Sequence, residues 1–554
     1  MSINIPICTG MSPGIWLRLS LISILHLAVL LTAASAQNRE VPSPPSQDYS
    51  LSELRIGLNA TDVETLDPHL AAAFNDRLVV DMVFNGLLRY EPGNAPRFEA
   101  DLAEMIPEPY LKGGRQVWPV RLKKGITFHP TDGHENYELT ADDIVFSFRR
   151  AADPDRSRYA GEYVGMTVEK VDRYSCNIIM EPPLSPVLFY SKIADYAGGL
   201  IVPKKVLEES GEENFRRQPI GTGPFRFVAY QSKHSVSLAA NDRYFRGPPH
   251  LDVVNIFFYP DATERYREFK RGNLDLIRGG DEVSREKFLP KETIVDVFGV
   301  PEVAIIYFNT MVKPLDDIRV RKAIAYALDR ERFLAPFDSR TATNVYSVVP
   351  ETYLPGGVNE EQVKSLGLDY AYNPDKARAL LAEAGYPDGF SLEIIATRLK
   401  HVQKNYLTLK EQLREVGIHL KLHVVDHATM HRLIRQDLSP IVIYEAWRPN
   451  TDVFLSRFFH SDSIVVTGKN PDTNFSHYQG IDDLIVRARQ EMDPEWQTKL
   501  WEYAQVKILE DMVAYPLHYR KRVYIRRGDL DYGHLLHSSM ALYPQVTEKT
   551  RILK

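Results

Sequence analysis

From Pro219 to Ile277 the chain carries a pattern that few backbones can satisfy. Gly221-Thr222-Gly223-Pro224 opens it as a turn. Phe225 and Phe227 then alternate with polar or small neighbours, and Val236, Leu238 and Ala240 do the same after Gln231–His234. That period of two predicts a half-buried hairpin. Val253–Phe258 is long enough for a third strand. Asp261 with Glu264 three residues on predicts a capping box, and Gly272 is placed to end the short helix that follows. Leu274 to Ile277 starts another strand. Packing, turns and caps account for the whole block, and no catalytic group is needed to explain it.

The chain has 554 residues, which suggests two to four domains. Leu54–Leu58 predicts the first strand and Asp76–Leu88 the first helix. Trp118–His129 predicts a strand and turn, with Thr140 as cap of a helix whose Asp142 and Asp143 favour its dipole. Further on, Ile305–Phe308 predicts a strand and Asp317 caps a helix. Asn373-Pro374 starts another helix, which Gly385 ends. Leu409, Leu413 and Val416 form one apolar face before Gly417, and Ile418, Leu420, Leu422 and Val424 alternate as a strand. Strands alternating with helices in this way argue for an α/β fold.

The net charge of −6, with no basic run and no low-complexity tract, argues against nucleic acid or an anionic membrane as partner. Arg18, the apolar stretch Leu19–Leu31 and Ala34-Ser35-Ala36 predict a secretory signal over residues 1–36, cleaved before Gln37. An uncleaved anchor is the other reading of the same segment. Residues 37–50, with Pro42, Pro44 and Pro45, predict a flexible leader. Cys8 precedes the apolar run, so it cannot be the lipidated cysteine of a lipoprotein signal. Cleavage leaves Cys176 alone, hence no internal disulfide, and Cys176 is expected as a buried small residue rather than a nucleophile. An exported, unlipidated protein points to a periplasm.

Several phrases then carry a resemblance: PIGTGPFRFVAYQ through NLDLI, Thr65-Leu66-Asp67-Pro68-His69, VRKAIAYALDRE, YNPDKARALLAEAGYPDGF and LKEQLREVGIHLKL. In this order they resemble the extracytoplasmic solute-binding proteins of the oligopeptide/dipeptide family, family 5, which serve ABC importers. The resemblance covers almost all of residues 54–530. It implies an α/β, two-lobed periplasmic-binding-protein fold with a hinge and an additional small domain in the first lobe. On that basis residues 51–88, 201–304 and 516–554 form a discontinuous lobe I, 89–200 the small domain and 305–515 lobe II. It further implies a monomer that encloses a peptide or other small solute and hands it to an inner-membrane permease. It implies no enzyme activity and no cofactor.

The segment Ile441–Phe459 is the best site candidate, because an apolar strand ends there in Tyr444, Glu445 and Trp447 before a polar loop. Peptide-binding relatives carry an Asp three residues after the equivalent Trp, where it anchors the peptide α-ammonium. A buried ammonium needs such a charged partner. Here Asn450 stands at that position and the loop is shorter. Either Asp452 or Glu445 takes over the role, or the ligand lacks a free α-ammonium. Trp447 serves as an apolar wall or as simple core packing. Ala72, Ala73 and Phe74 fall where relatives line the cleft with backbone, suited to pairing with an extended peptide. Tyr519, in Tyr515–Tyr519, either touches ligand or belongs to a buried hinge strand.

His419, His423, His427 and His431 recur every four residues beside Asp426. On a helix His427 and His431 share a face that could bind zinc, nickel or copper. His419 and His423 sit in the alternating strand, about 13 Å apart on its polar face. A solvated face is the simpler reading, so no metal is assigned. The chain has no Gly-x-Ser-x-Gly elbow, His-Glu-x-x-His motif or phosphate loop. Asp142/Asp143, Asp316/Asp317 and Asp482/Asp483 fall at helix starts, where the dipole explains them. The alternatives to a peptide carrier are a carrier of an opine, an oligosaccharide or a metal chelate, a secreted hydrolase, and a periplasmic chaperone.

Overall fold

The computed structural model describes residues 51–195, 198–280 and 289–553. The expected signal segment 1–36, with Cys8, and the leader 37–50 lie outside the described residues. Among the described residues no helix is long and apolar enough to cross a membrane.

The predicted hairpin is formed by Phe225–Gln231 and Ser235–Ala240, antiparallel, with a register shift between Phe227 and Ala229. Val253–Phe258 adds antiparallel to it and lies parallel to Glu53–Leu58. Leu276–Arg278 takes the other side of Glu53–Leu58, also parallel. A parallel connection needs a crossover, and the helix Ala262–Lys270 supplies it. Asp261 caps that helix by accepting from the Glu264 N–H at 2.8 Å, and Gly272 ends it with φ of 79°. Arg522–Arg527 and then Thr293–Phe298 complete a seven-stranded sheet. Leu54, Ile56, Val254, Ile256 and Leu276 bury its inner face.

A second sheet orders Ala342–Asn344, Ala514–Arg520, Glu302–Phe308 and Ile441–Trp447. Strands Glu302–Phe308 and Ala514–Arg520 are buried along almost their whole length, as expected of strands covered on both faces. Beside this sheet a parallel pair, Phe390–Thr397 with Ile418–Val425, is joined across the helix Lys400–Arg414. Ile306, Phe308, Ile394, Leu409 and Leu413 share one core there. Asn373 caps Pro374–Glu383, and Asp317 caps Ile318–Tyr326, as the sequence predicts.

Residues 110–180 form a third, antiparallel sheet ordered Tyr110–Lys112, Arg115–Arg121, Ser175–Met180 and Met166–Lys170. The helix Ala141–Ala151 packs on it behind a capping box between Thr140 and Asp143. Trp118 stacks on Phe189 with centroids 3.9 Å apart. Cys176 is buried in its strand, and burial pushes the thiol up to about 12. It is an inert core residue.

One buried cluster runs without a break from Trp118 and Phe148 to Tyr307 and Trp501. The Ser185 N–H donates to the Arg489 carbonyl at 2.8 Å. Residues 89–200 therefore touch the second sheet's elements as well as the first's. His129 fixes the Gly221–Gly223 turn: its N–H donates to the Gly221 carbonyl (2.8 Å), its Nε2 donates to the Gly223 carbonyl (2.9 Å), and its Nδ1 accepts the Gly221 N–H (3.3 Å). A Cβ on Gly221 would lie 2.0 Å from the Val83 carbonyl oxygen, so the turn requires glycine. The first helix is Phe74–Val83, not Asp76–Leu88. It stops early because Phe84 turns extended and Gly86 bridges Leu200, which brings the chain against the Ala194 backbone.

Candidate functional site

Strand Ile441–Trp447 lies at the edge of the second sheet and ends opposite Glu302. Side chains alternate along it. Tyr444 points into the core, where its ring meets His431 and Phe475 at 5.5 and 5.4 Å. Glu445 and Trp447 point the other way. Trp447 is half-buried, packs against both major cores and lines a cavity of about 390 Å³. Ala72 and Phe74 line the same cavity, with Arg77, Glu162 and Arg457. The loop before Phe74 is pinned by the turn at Asp67, whose carbonyl accepts the Leu70 and Ala71 N–H groups. Asp67 in turn is held by Arg150, with both side chains fully buried.

Two further cavities adjoin this one. The first, of about 500 Å³, shares Glu162 and Arg457 with it and is lined by Asn450, Asp452 and Arg489. The other, of about 630 Å³, lies beyond the Phe74 ring, over which the Arg278 guanidinium sits at 5.6 Å. Glu445 lines it at 10% side-chain exposure. The Glu445 carboxylate accepts from Asn405 Nδ2 at 3.2 Å and lies 3.7 Å from His401 Nε2 and 4.0 Å from Arg520. Asn405 also meets the buried His518 at 3.2 Å, whose ring burial holds neutral down to about 3.

The structure brings Ala72, Phe74 and Trp447 together, and sets Glu445 in the neighbouring cavity. Four candidates are engaged within the protein itself. Asn450 is a helix N-cap: its side chain accepts the Val453 N–H at 2.9 Å, opening Thr451–Phe459. Asp452 is bound by Arg489 Nε at 2.9 and 3.1 Å and by Ser456 at 3.2 Å. Tyr444 and Tyr519 are core residues; the Tyr519 ring meets Tyr353 edge-on at 5.3 Å. Tyr515–Tyr519 lies in a strand that is buried along this stretch.

Sequence reasoning missed Arg77, Glu162 and Arg457, and the group formed by Arg278, Arg520, Lys521 and Arg522. The triplet Arg520-Lys521-Arg522 was a visible signal, three basic residues in succession. The histidine series separates as the periods suggest. His419 and His423 lie in the strand, with His423 paired to Glu393 at 2.7 Å. His427 and His431 share a helix face with their Nε2 atoms 3.0 Å apart. Arg435 donates to His431 Nδ1, so His431 donates through Nε2 to His427. Burial first, then His427 and Arg435, pulls His431 down to about 4. Among the described residues no group of three or more potential ligands is arranged for a metal ion.

Two sheet systems with cavities between them, lined by an aromatic wall and charged side chains, are the architecture of a solute-binding protein. Residues 98–464 match the profile of the bacterial extracellular solute-binding proteins, family 5. The chain belongs to that family. Among solved structures it is similar to the binding protein MoaA of A. tumefaciens R10 in complex with mannopinic acid, at 34% identity, with a TM-score of 0.74. That match covers 91% of this chain and all of that one. It is 28% identical to the oligopeptide-binding protein AppA of Bacillus subtilis, over 80% of this chain and 82% of that protein. It is 31% identical to heme-binding protein A of Haemophilus influenzae, over 56% of this chain and 58% of that protein. The fold is the two-lobed α/β fold expected from the sequence.

Proposed function

We propose that this protein is the periplasmic solute-binding component of an ABC importer, exported by a cleaved signal and handing its solute to an inner-membrane permease. Lobe I comprises residues 51–88, 201–304 and 516–554, lobe II residues 305–515, and the small domain residues 89–200. The observation that carries this reading is the meeting of Ala72 and Phe74 with Trp447 across a cavity of about 390 Å³. A solute enclosed there loses most of its surface to protein, and lobe closure reports occupancy. The exposure of Ala72 and Ala73, with the similarity to AppA, supports an extended peptide as ligand.

A specific observation favours a second ligand class. Asn450 is spent on a helix cap and Asp452 on Arg489, so the side chains nearest the ammonium position are already engaged. The similarity to MoaA in complex with mannopinic acid points the same way, to an acid as ligand. Isothermal titration of the mature chain with tripeptide pools tests the function. Saturable one-to-one binding with Kd on the order of micromolar, lost in Trp447→Ala, supports it. Cleavage of a bound peptide, or binding indifferent to Trp447, refutes it.

A further inference from the structure

The cavity beyond Phe74 is unusual in its charge. Five basic side chains, Arg265, Arg278, Arg520, Lys521 and Arg522, line it against two carboxylates, Glu302 and Glu445. Both carboxylates are already engaged. Glu302 pairs with Arg522 at 2.9 Å, and Glu445 is held by Asn405 with Arg520 and His401 beside it. Arg265 donates to the Tyr259 carbonyl. Arg278 and Lys521 remain. Among the described residues no carboxylate forms an ion pair with either, and the nearest described support for Arg278 is the face of Phe74.

A guanidinium held away from bulk water without a counter-charge is costly. Burial and the neighbouring Arg522 accordingly pull Arg278 below its ordinary range. Such a group persists when the strand that carries it is fixed for other reasons. Leu276–Arg278 is an inner strand of the seven-stranded sheet, paired on both sides. The guanidinium is thus preorganised, facing a space of about 630 Å³ that opens beside Trp447's strand. Planar guanidinium matches carboxylate with two parallel hydrogen bonds, and an ammonium placed here would meet like charges.

We propose that this cavity holds the acidic end of a solute of net negative charge, with its carboxylate on Arg278 and supported by Lys521. This rests on the solute-binding reading above and narrows it. An acidic peptide and a non-peptide polyacid share the required chemistry. A neutral or basic peptide does not have it.

The test is a thermal-shift screen of the mature chain against an array of several hundred organic acids, sugars, amino acids and short peptides, followed by titration of the hits. The expected hits carry net negative charge at pH 7, and their affinity falls at least tenfold between 50 and 500 mM NaCl. Arg278→Gln weakens them at least tenfold, Arg278→Lys less, and the exposed Arg226→Gln not at all. Arg278→Gln also leaves the unliganded thermal midpoint unchanged or higher, because it removes an uncompensated cation; a purely structural role would lower it. Hits ending in Glu-Glu separate an acidic peptide from a polyacid without a peptide bond. Neutral or basic hits that depend on Trp447 but not on Arg278 overturn the charge assignment and leave solute binding standing. No hit anywhere in the array overturns both.

Discussion

Replacing Arg150 by Met tests how the ligand-facing loop is held. Arg150 Nη1 donates to Asp67 Oδ1 at 2.9 Å, and Nη2 reaches both the other Asp67 oxygen and Glu212. Both members of the Arg150–Asp67 pair have side chains with no solvent exposure. Burial opposes the charge on Arg150, but the hydrogen bonds it donates to Asp67 and Glu212 outweigh it and raise its pKa. Methionine keeps most of the volume and removes the cation. Asp67 is then left as a buried carboxylate supported by the His69 N–H at 3.0 Å. Breaking one partner of such a pair costs about 3–5 kcal/mol. At about 2–4 °C per kcal/mol for a lobe of 150–250 residues, the midpoint falls by roughly 6–20 °C. Because the turn at Asp67 leads into Ala72 and Phe74, solute affinity falls as well. Calorimetry is the assay, since a multi-lobed chain need not melt in one step. In Asp67→Asn/Arg150→Met the charge is gone from both sides, and more than half of the loss returns. A midpoint for Arg150→Met within 1 °C of the parent, or a double variant no better than the single, would refute the reasoning.

The His129 ring is fully buried and burial holds its pKa down to about 4, so the folded ring is neutral while the unfolded ring takes a proton near 6.5. Its contribution is complete above about 6.5 and is lost as pH falls towards 4. The stability advantage of the parent over His129→Gln should therefore shrink by up to about 1.4 kcal/mol per pH unit across that window, read by urea melts; an advantage independent of pH contradicts the neutral ring. Asp452→Ala should cost about 1 kcal/mol, since its partner Arg489 is 38% exposed, and change solute affinity less than threefold; a tenfold loss would return Asp452 to the role of ammonium anchor. Cys176 should resist a thiol reagent at pH 8 in the folded protein and react fully in guanidinium, with early labelling showing that the strand is open.

Local chemistry was legible and long-range pairing was not. The Phe225–Ala240 hairpin, the caps at Asp261, Asp317 and Asn373, and the strand running to Trp447 each rest on residues within a few positions of one another. Asp452 looked available because its partner, Arg489, lies a helix and a loop further on. Asn450 sits where a cap is needed, and a sequence that places Asn before Thr-Asp-Val already carried that signal. The cationic cavity gathers Arg278 and Arg520–Arg522 from strands far apart in the chain that are joined through the first sheet, where Arg278 lies opposite Tyr524. The burial of Tyr515–Tyr519 on both faces follows from the two cores the strand separates, with Tyr519 in one and Tyr515 and Leu517 in the other, which the segment alone does not reveal.

The seven-stranded sheet also dictates an order of assembly. Its central strand, Glu53–Leu58, is among the first described residues to emerge in synthesis, whereas Arg522–Arg527 is among the last. Without that late strand, Leu276–Arg278 and Thr293–Phe298 have no neighbour to join them, and the Asp275 carboxylate lacks Arg527. The lobe cannot close its hydrogen-bond ladder until nearly the whole polypeptide is available, and such distant pairings form slowly. A chain that must be threaded across a membrane before it folds gains from that delay. Removing the last strand should leave an export-competent but collapsed polypeptide rather than a smaller working carrier.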